Sequence, residues 1–219
     1  MAQRRLTVSV ERSWICPVIV AATGPSLTKE VAWACRRARW FDGWRIVAVN
    51  DAHRLLPLAD ALYACDERWW DAYAGVMDFP GEKWTTHEDG PEHTNCKESI
   101  AEKYGLRCVR GRGGDTFSTD QEVIHYGSNS GFQAVNLALL KGATRVVLVG
   151  FDMRLVGDKR HFFGDHPEPL HNRADYRDFI KPFQRAAQNC RVPIVNCTPG
   201  SALDAFPMAE LEKELIRRD

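Results

Sequence analysis

The chain has 219 residues, and its 29 Lys+Arg balance 29 Asp+Glu for a formal net charge of zero. That length suits a single globular domain, and charge neutrality argues against the broad basic footprint behind sequence-independent nucleic-acid binding. With 44% hydrophobic residues the chain can bury a full core, and no window approaches the ~20 apolar residues that span a bilayer.

In chain order, Met1-Ala2-Gln3-Arg4-Arg5 is basic, but Glu11, Arg12 and Ser13 interrupt the place where a signal peptide needs its apolar centre. The expectation is a soluble cytoplasmic protein with no membrane partner. Residues 15–22 form a continuous apolar run, as in a strand covered on both faces. Thr23-Gly24-Pro25-Ser26 breaks it, and a helical pattern follows over 27–40, with Ser26 as N-cap. A second strand, Arg45–Val49, ends at Asn50-Asp51, and a third over 61–65 ends at Asp66 before a helix near 68–76. Residues 80–125 read as an irregular insertion, with short strands near 83–86 and 106–110 and Gly-rich loops. Asn129-Ser130-Gly131 opens a helix to Leu140, with Gly142 as its stop. Arg145–Val149 is the cleanest strand and ends at Gly150-Phe151-Asp152. A polar stretch at 152–171 reads as a lid-like loop, 172–190 as a helix that Pro182 kinks or restarts, 192–196 as a last strand, and 208–217 as a closing helix.

Strand and helix alternate, which predicts a single α/β domain over 1–219, a Rossmann-like three-layer α/β/α fold with a mostly parallel sheet. Ligands of such sheets bind at the carboxyl ends of the strands. The polar residues that directly follow strands are therefore the candidates: Thr23, Gly24, Pro25, Ser26, Asn50, Asp51, Asp66, Asp152 and the run Asn196-Cys197-Thr198. Turn chemistry alone also places Gly, Asn and Asp there.

The loop at Gly24 lets backbone approach a ligand, and the helix start after it offers N–H groups to an anion. Asn129, Ser130 and Gly131 repeat that arrangement, or simply cap a helix. Arg154, Arg160 and His161 in the lid are donors suited to phosphate oxygens, or they are solvated. His171 is the candidate base, because imidazole titrates near neutrality. Trp69-Trp70 either stacks on a flat ring or packs a helix onto the sheet. Arg107, Arg110 and Arg112 either meet phosphates or sit in a solvated loop. No metal-ligand spacing stands out, and the seven cysteines, without a CxxC, read as free thiols.

The run Ala22-Thr23-Gly24-Pro25-Ser26-Leu27, Val49-Asn50, Ser130-Gly131 and Val149-Gly150-Phe151-Asp152, continued through His171 to Asn196 and 199–203, resembles the Campylobacter-type bacterial sialyltransferases. It is also similar to the hydroxymethylpterin pyrophosphokinase group, and most of all to small phage- and prophage-encoded proteins with this core. The resemblance implies a glycosyltransferase-like enzyme that uses a CMP-sugar type of donor, with His171 as base toward an acceptor hydroxyl. Thr23, Gly24, Pro25, Ser26, Asn50, Asn129, Ser130 and Gly131 would surround the donor. Where the family has Asn and two lid tyrosines, this chain has Thr23, Arg154 and Arg160-His161.

That reading requires no cofactor beyond the nucleotide-sugar co-substrate. The alternatives are an ATP-dependent diphosphokinase needing Mg²⁺, through Asp51, Asp66 or Asp152, and a non-catalytic phage nucleotide-binding or assembly protein. The acceptor is left open between a glycan, a small molecule and a modified DNA base, for which Arg36, Arg37 and Arg39 form a local patch. A homo-oligomer is allowed, and the location would be the host cytoplasm for a phage-encoded chain.

Overall fold

The structure is a computed structural model that describes residues 7–87, 98–167, 170 and 175–216. In chain order the elements are β1 (Pro17–Ala21), α1 (Lys29–Phe41), β2 (Arg45–Val49), β3 (Ala61–Tyr63), α2 (Glu67–Ala72), β4 (Glu82–His87), α3 (Glu98–Tyr104), β5 (Arg107–Arg112), β6 (Val123–His125), α4 (Ser130–Leu140), β7 (Arg145–Val149), α5 (Tyr176–Ala187), β8 (Ile194–Asn196) and α6 (Leu211–Ile216). The eight strands form one sheet in the order β6-β5-β4-β3-β2-β1-β7-β8, and every pairing between them is parallel. Strands β1 to β6 run outward on one side, and the chain then returns to place β7 on the other side of β1. The strand order therefore reverses at β1, where open α/β sheets form their ligand crevice.

Period-two alternation sorts the strand side chains between two cores. Ile19 and Ala21 join Ala34, Cys35, Trp70, Ala101 and Leu215 in the core beneath α1, α2, α3 and α6. Val18 and Val20 face the other way, with Phe132, Val135, Phe183 and Ala186 of α4 and α5. This is the three-layer arrangement read from the sequence. Helix α4 is buried nearly all round, since Phe132 packs against both Phe117 and Phe183 while the sheet covers its other side. No helix among the described residues is long and apolar enough to cross a membrane.

Several boundaries differ from expectation for physical reasons. The N-cap of α1 is Thr28, whose Oγ1 accepts from Val31 N at 3.3 Å; Ser26 is drawn away by Asp152. The stretch 80–125 is not an irregular insertion but contributes α3 and strands β4, β5 and β6 to the same sheet. The short strands expected near 83–86 and 106–110 are β4 and β5, whose Lys, Thr, Arg and Gly obscure their place in the main sheet, and β6 is only three residues long. Arg107, Arg110 and Arg112 thus lie along a strand rather than in a loop, Arg107 on one face and Arg110 and Arg112 on the other. Pro182 lies inside α5 without dividing it. Among the described cysteines, Cys16, Cys35, Cys65, Cys108, Cys190 and Cys197 are all free.

Candidate active site

A cavity of about 280 Å³ opens at the carboxyl ends of the central strands. Thr23 and Gly24 after β1, Asn50 after β2, Cys65 and Asp66 after β3, and Gly150, Phe151, Asp152 and Met153 after β7 all line it. Ser128 to Gly131 at the start of α4 close one side, and Arg160, His161 and His166 of the 152–167 segment close another. Gly24 and Ser130, far apart in sequence, therefore share one pocket.

The loop after β1 is held against β7. Gly24 N donates to Gly150 O at 2.9 Å, and a Cβ on Gly24 would collide with the Asp152 carboxylate and the Gly150 carbonyl. Ser26 donates its N–H (3.3 Å) and its hydroxyl (2.7 Å) to Asp152 Oδ2, and Leu27 N donates to Gly24 O. Most of the amides expected to cradle an anion at this loop are therefore already taken. Its amides at Gly24, Ser26 and Leu27 are engaged, Pro25 has none, and the group facing it is a carboxylate. Asp152 is 2% exposed, and its Oδ1 is buried with no hydrogen-bond partner.

The donor end of the cavity lies at α4. Asn129 acts as the cap, with Oδ1 accepting from Phe132 N at 2.8 Å and Nδ2 donating to Gly127 O at 3.0 Å. The main-chain N–H groups of Ser130 and Gly131 find no acceptor among the described residues, and they carry the positive end of the helix dipole. Gln133 fixes this helix start from below: Oε1 accepts from Tyr63 OH at 2.6 Å, and Nε2 donates to Tyr126 O at 2.9 Å. Ser130 Oγ lies 3.0 Å from Cys65 Sγ, and burial pushes that thiol's pKa up. Three non-glycine residues of the cavity wall, Asn50 (φ 49°), Ser128 (φ 63°) and Met153 (φ 48°), hold left-handed backbone. Such conformations cost of order 1–3 kcal/mol each and persist where the surroundings impose them.

The 152–167 segment is built from two tight turns, bridged at Val156–Lys159 and His161–Gly164. It is docked by Phe162 N on Thr23 O at 2.9 Å. His161 Nδ1 shares a 2.9 Å hydrogen bond with Thr23 Oγ1, stacks on Phe163 and touches the His166 ring. Burial, reinforced by His166, draws the His161 pKa down to about 4, so its imidazole is neutral at neutral pH. Arg160 stands over the Tyr176 ring at 5.6 Å.

Of the predicted site residues, Thr23, Gly24, Asn50, Asp66, Asn129, Ser130, Gly131, Asp152, Arg160 and His161 line the cavity, and Pro25, Ser26, Asp51 and Arg154 do not. Asp66 caps α2 and pairs with Arg68. Asp51 is fully buried behind the wall, where its Oδ2 accepts from Trp69 Nε1 at 2.8 Å. Arg154 is not part of the cavity wall, its Nε donating instead to the Gly200 carbonyl at 2.5 Å. The backbone reversal at Met153 aims it there, which sequence proximity to Arg160 cannot show. His171 lies outside the described residues. Sequence reasoning missed His166, Tyr176 and Phe179 as wall residues, whereas Trp69, weighed as a stacking residue, does line the cavity; the i, i+3 spacing of Tyr176 and Phe179 at the start of α5 was the available signal. Trp69 and Trp70 are both buried, with Trp70 Nε1 on Ala64 O, so the pair chiefly packs α2 onto the sheet.

Among the described residues no three His, Cys, Asp or Glu side chains are grouped to hold a metal ion. No protein-family model matches the chain, and no curated protein matches it either.

Proposed function

We propose that this cavity binds a nucleotide-activated donor, a nucleotide sugar in the first instance, and that the chain transfers the activated group to an acceptor hydroxyl. The observation that carries the reading is the polarity of the pocket. One end is walled by carboxylates, the buried Asp152 and the half-buried Asp66; the other offers donors, the Ser130 and Gly131 N–H groups, with Arg160 also on the wall. A nucleoside phosphate has the complementary pattern, with hydroxyl donors at the sugar and acceptor oxygens at the phosphate. The position at the strand-order reversal fits a nucleotide as well, as does the sialyltransferase resemblance, which supplies CMP as the first base to try.

In the proposed reaction the acceptor oxygen bonds to the anomeric carbon while that carbon's bond to the donor phosphate oxygen breaks. The electron pair leaves with the nucleotide, whose charge Arg160 and the α4 amides stabilise. The acceptor's proton passes to a base, for which the resemblance nominates His171. The diphosphokinase reading is less well served, because Asp51 is enclosed behind Trp69 and Asp66 is already paired with Arg68.

The deciding experiment is a thermal-shift panel of CMP, CDP, UDP, GDP, ADP and their sugars, followed by transfer assays with the best ligand. A ligand at a hundred times its Kd adds about 2.7 kcal/mol of stability, so a genuine donor gives a clear rise in Tm. The reading fails if no nucleotide shifts the melting point, or if ATP is consumed with Mg²⁺-dependent release of AMP.

A further inference from the structure

At the opposite end of the sheet, the amino ends of β2 to β5 surround an open bowl of about 730 Å³. Its charged lining is Arg39, Arg45, Lys83 and Arg107 against only Asp60 and Glu82. Four cations and two carboxylates leave an excess of two positive charges, in a chain whose formal net charge is zero.

Both carboxylates are shared rather than free. Asp60, with 5% of its side chain exposed, takes both arms of Arg39 (2.9 and 3.0 Å), Arg45 Nη1 (2.6 Å) and Ile46 N (2.9 Å). Glu82 takes Arg107 Nη1 (3.0 Å), the buried Lys141 Nζ (2.8 Å) and Trp84 Nε1 (2.8 Å). Lys83 pairs with no carboxylate among the described residues, its Nζ lying on the Gly75 and Tyr104 carbonyls at 3.1 and 2.5 Å. Each acid thus neutralises one of the two cations that it holds, with Lys141 counted beside Glu82, and the surplus falls on Lys83 and on Arg45 and Arg107, whose side chains are 48% and 53% exposed. A concave surface of one sign focuses its field on the solution in front of it.

We propose that this bowl is a second binding site, separate from the carboxyl-end cavity, for a linear polyphosphate anion. Arg45 and Arg107 open strands three places apart, and their guanidinium groups rest on two different carboxylates, Asp60 and Glu82, at the starts of the two strands between them. A chain of phosphates presents more anionic oxygens than orthophosphate, and so more charge-assisted hydrogen bonds to guanidinium groups held on separate carboxylates. Guanidinium groups with spare N–H donors suit such oxygens. The inference is independent of what the other cavity binds.

Two indoles report the two ends separately: Trp84 Nε1–H lies on Glu82 in the bowl wall, and Trp69 Nε1–H on Asp51 behind the other cavity. Sodium tripolyphosphate is titrated into the ¹⁵N-labelled protein at ionic strength held constant with NaCl, with indole resonances assigned by single Trp→Phe variants. The expected result is a saturable shift of the Trp84 resonance, with orthophosphate at least tenfold weaker. Arg45→Gln and Arg107→Gln should each lower tripolyphosphate affinity at least fivefold. A shift confined to Trp69, no saturable shift at Trp84, or unchanged affinity in both folded arginine variants would overturn the proposal. The wild-type titration decides it even if a variant fails to fold.

Discussion

Ser26 and Asp152, 126 positions apart, are joined by two hydrogen bonds to a single carboxylate oxygen, which ties the loop after β1 to the end of β7. The second oxygen of Asp152 remains buried and unpartnered at the cavity wall. One side chain therefore both ties the crevice together and forms part of its wall.

Gly24 has no space for a larger residue beside this contact. Gly24→Ala forces its Cβ into the Asp152 carboxylate and the Gly150 backbone, and should cost about 2–3 kcal/mol or more, as severe overpacking does. Ser26→Ala removes a hydrogen bond to a charged group, worth about 1.5–3 kcal/mol. Urea denaturation measures both; a Ser26→Ala loss within 0.5 kcal/mol of zero (roughly the noise of an indifferent surface site) would show that the tie is dispensable.

Arg160 and Arg154 should separate cleanly. Arg160 lines the cavity, whereas Arg154 is engaged by Gly200 on the outside. Arg160→Ala is expected to weaken nucleotide affinity about tenfold or more, in line with the loss of a charge-assisted hydrogen bond, and Arg154→Ala to leave it within twofold (about 0.4 kcal/mol). Calorimetric titration with whichever nucleotide stabilises the protein makes the comparison. Equal losses in the two variants would restore Arg154 to the site.

His161 predicts an acid-side loss of stability. Its pKa falls from 6.5 to about 4 on folding, so between those values the unfolded chain binds the proton and the folded one does not. Stability from this group is intact above about pH 6.5 and declines as pH falls toward 4, by about 3 kcal/mol in full. His161→Gln should flatten that part of the profile. Unfolding midpoints of both proteins at pH 7 and pH 4.5 test the sign, and parallel losses would assign the effect to other groups.

Asp51 and Trp69 should behave as a coupled pair. Trp69→Phe deletes the indole donor to a fully buried carboxylate, with an expected cost of about 1–3 kcal/mol for the unmet acceptor in addition to lost packing. Once Asp51→Asn has removed the charge, the same substitution should cost less. A double-mutant cycle measures the difference; strict additivity would mean that the hydrogen bond contributes nothing.

Strands β1, β2 and β7 were legible because burial on both faces demands unbroken apolar runs, and their ends were legible because Gly, Asn and Asp punctuate them. The joint pocket of Gly24 and Ser130 followed from parallel topology. Strands β4 and β5 were legible as short segments near 83–86 and 106–110, but their place in the main sheet was not, since Glu82–His87 and Arg107–Arg112 mix charged and apolar residues, and three residues of β6 make no pattern. Side-chain partners were invisible for a different reason. Ser26 reads locally as a cap and Arg154 as a phosphate donor, but Asp152 and Gly200 claim them across the fold. Only tertiary contact decides between two uses of the same donor.

The ends of the strand order have a consequence for behaviour at high concentration. The outermost strands, β6 and β8, are each three residues long, and Asn196 in β8 is already bridged by Met208. Such short margins present little open backbone for a neighbouring molecule to extend, so the sheet is a poor template for ribbon-like self-association.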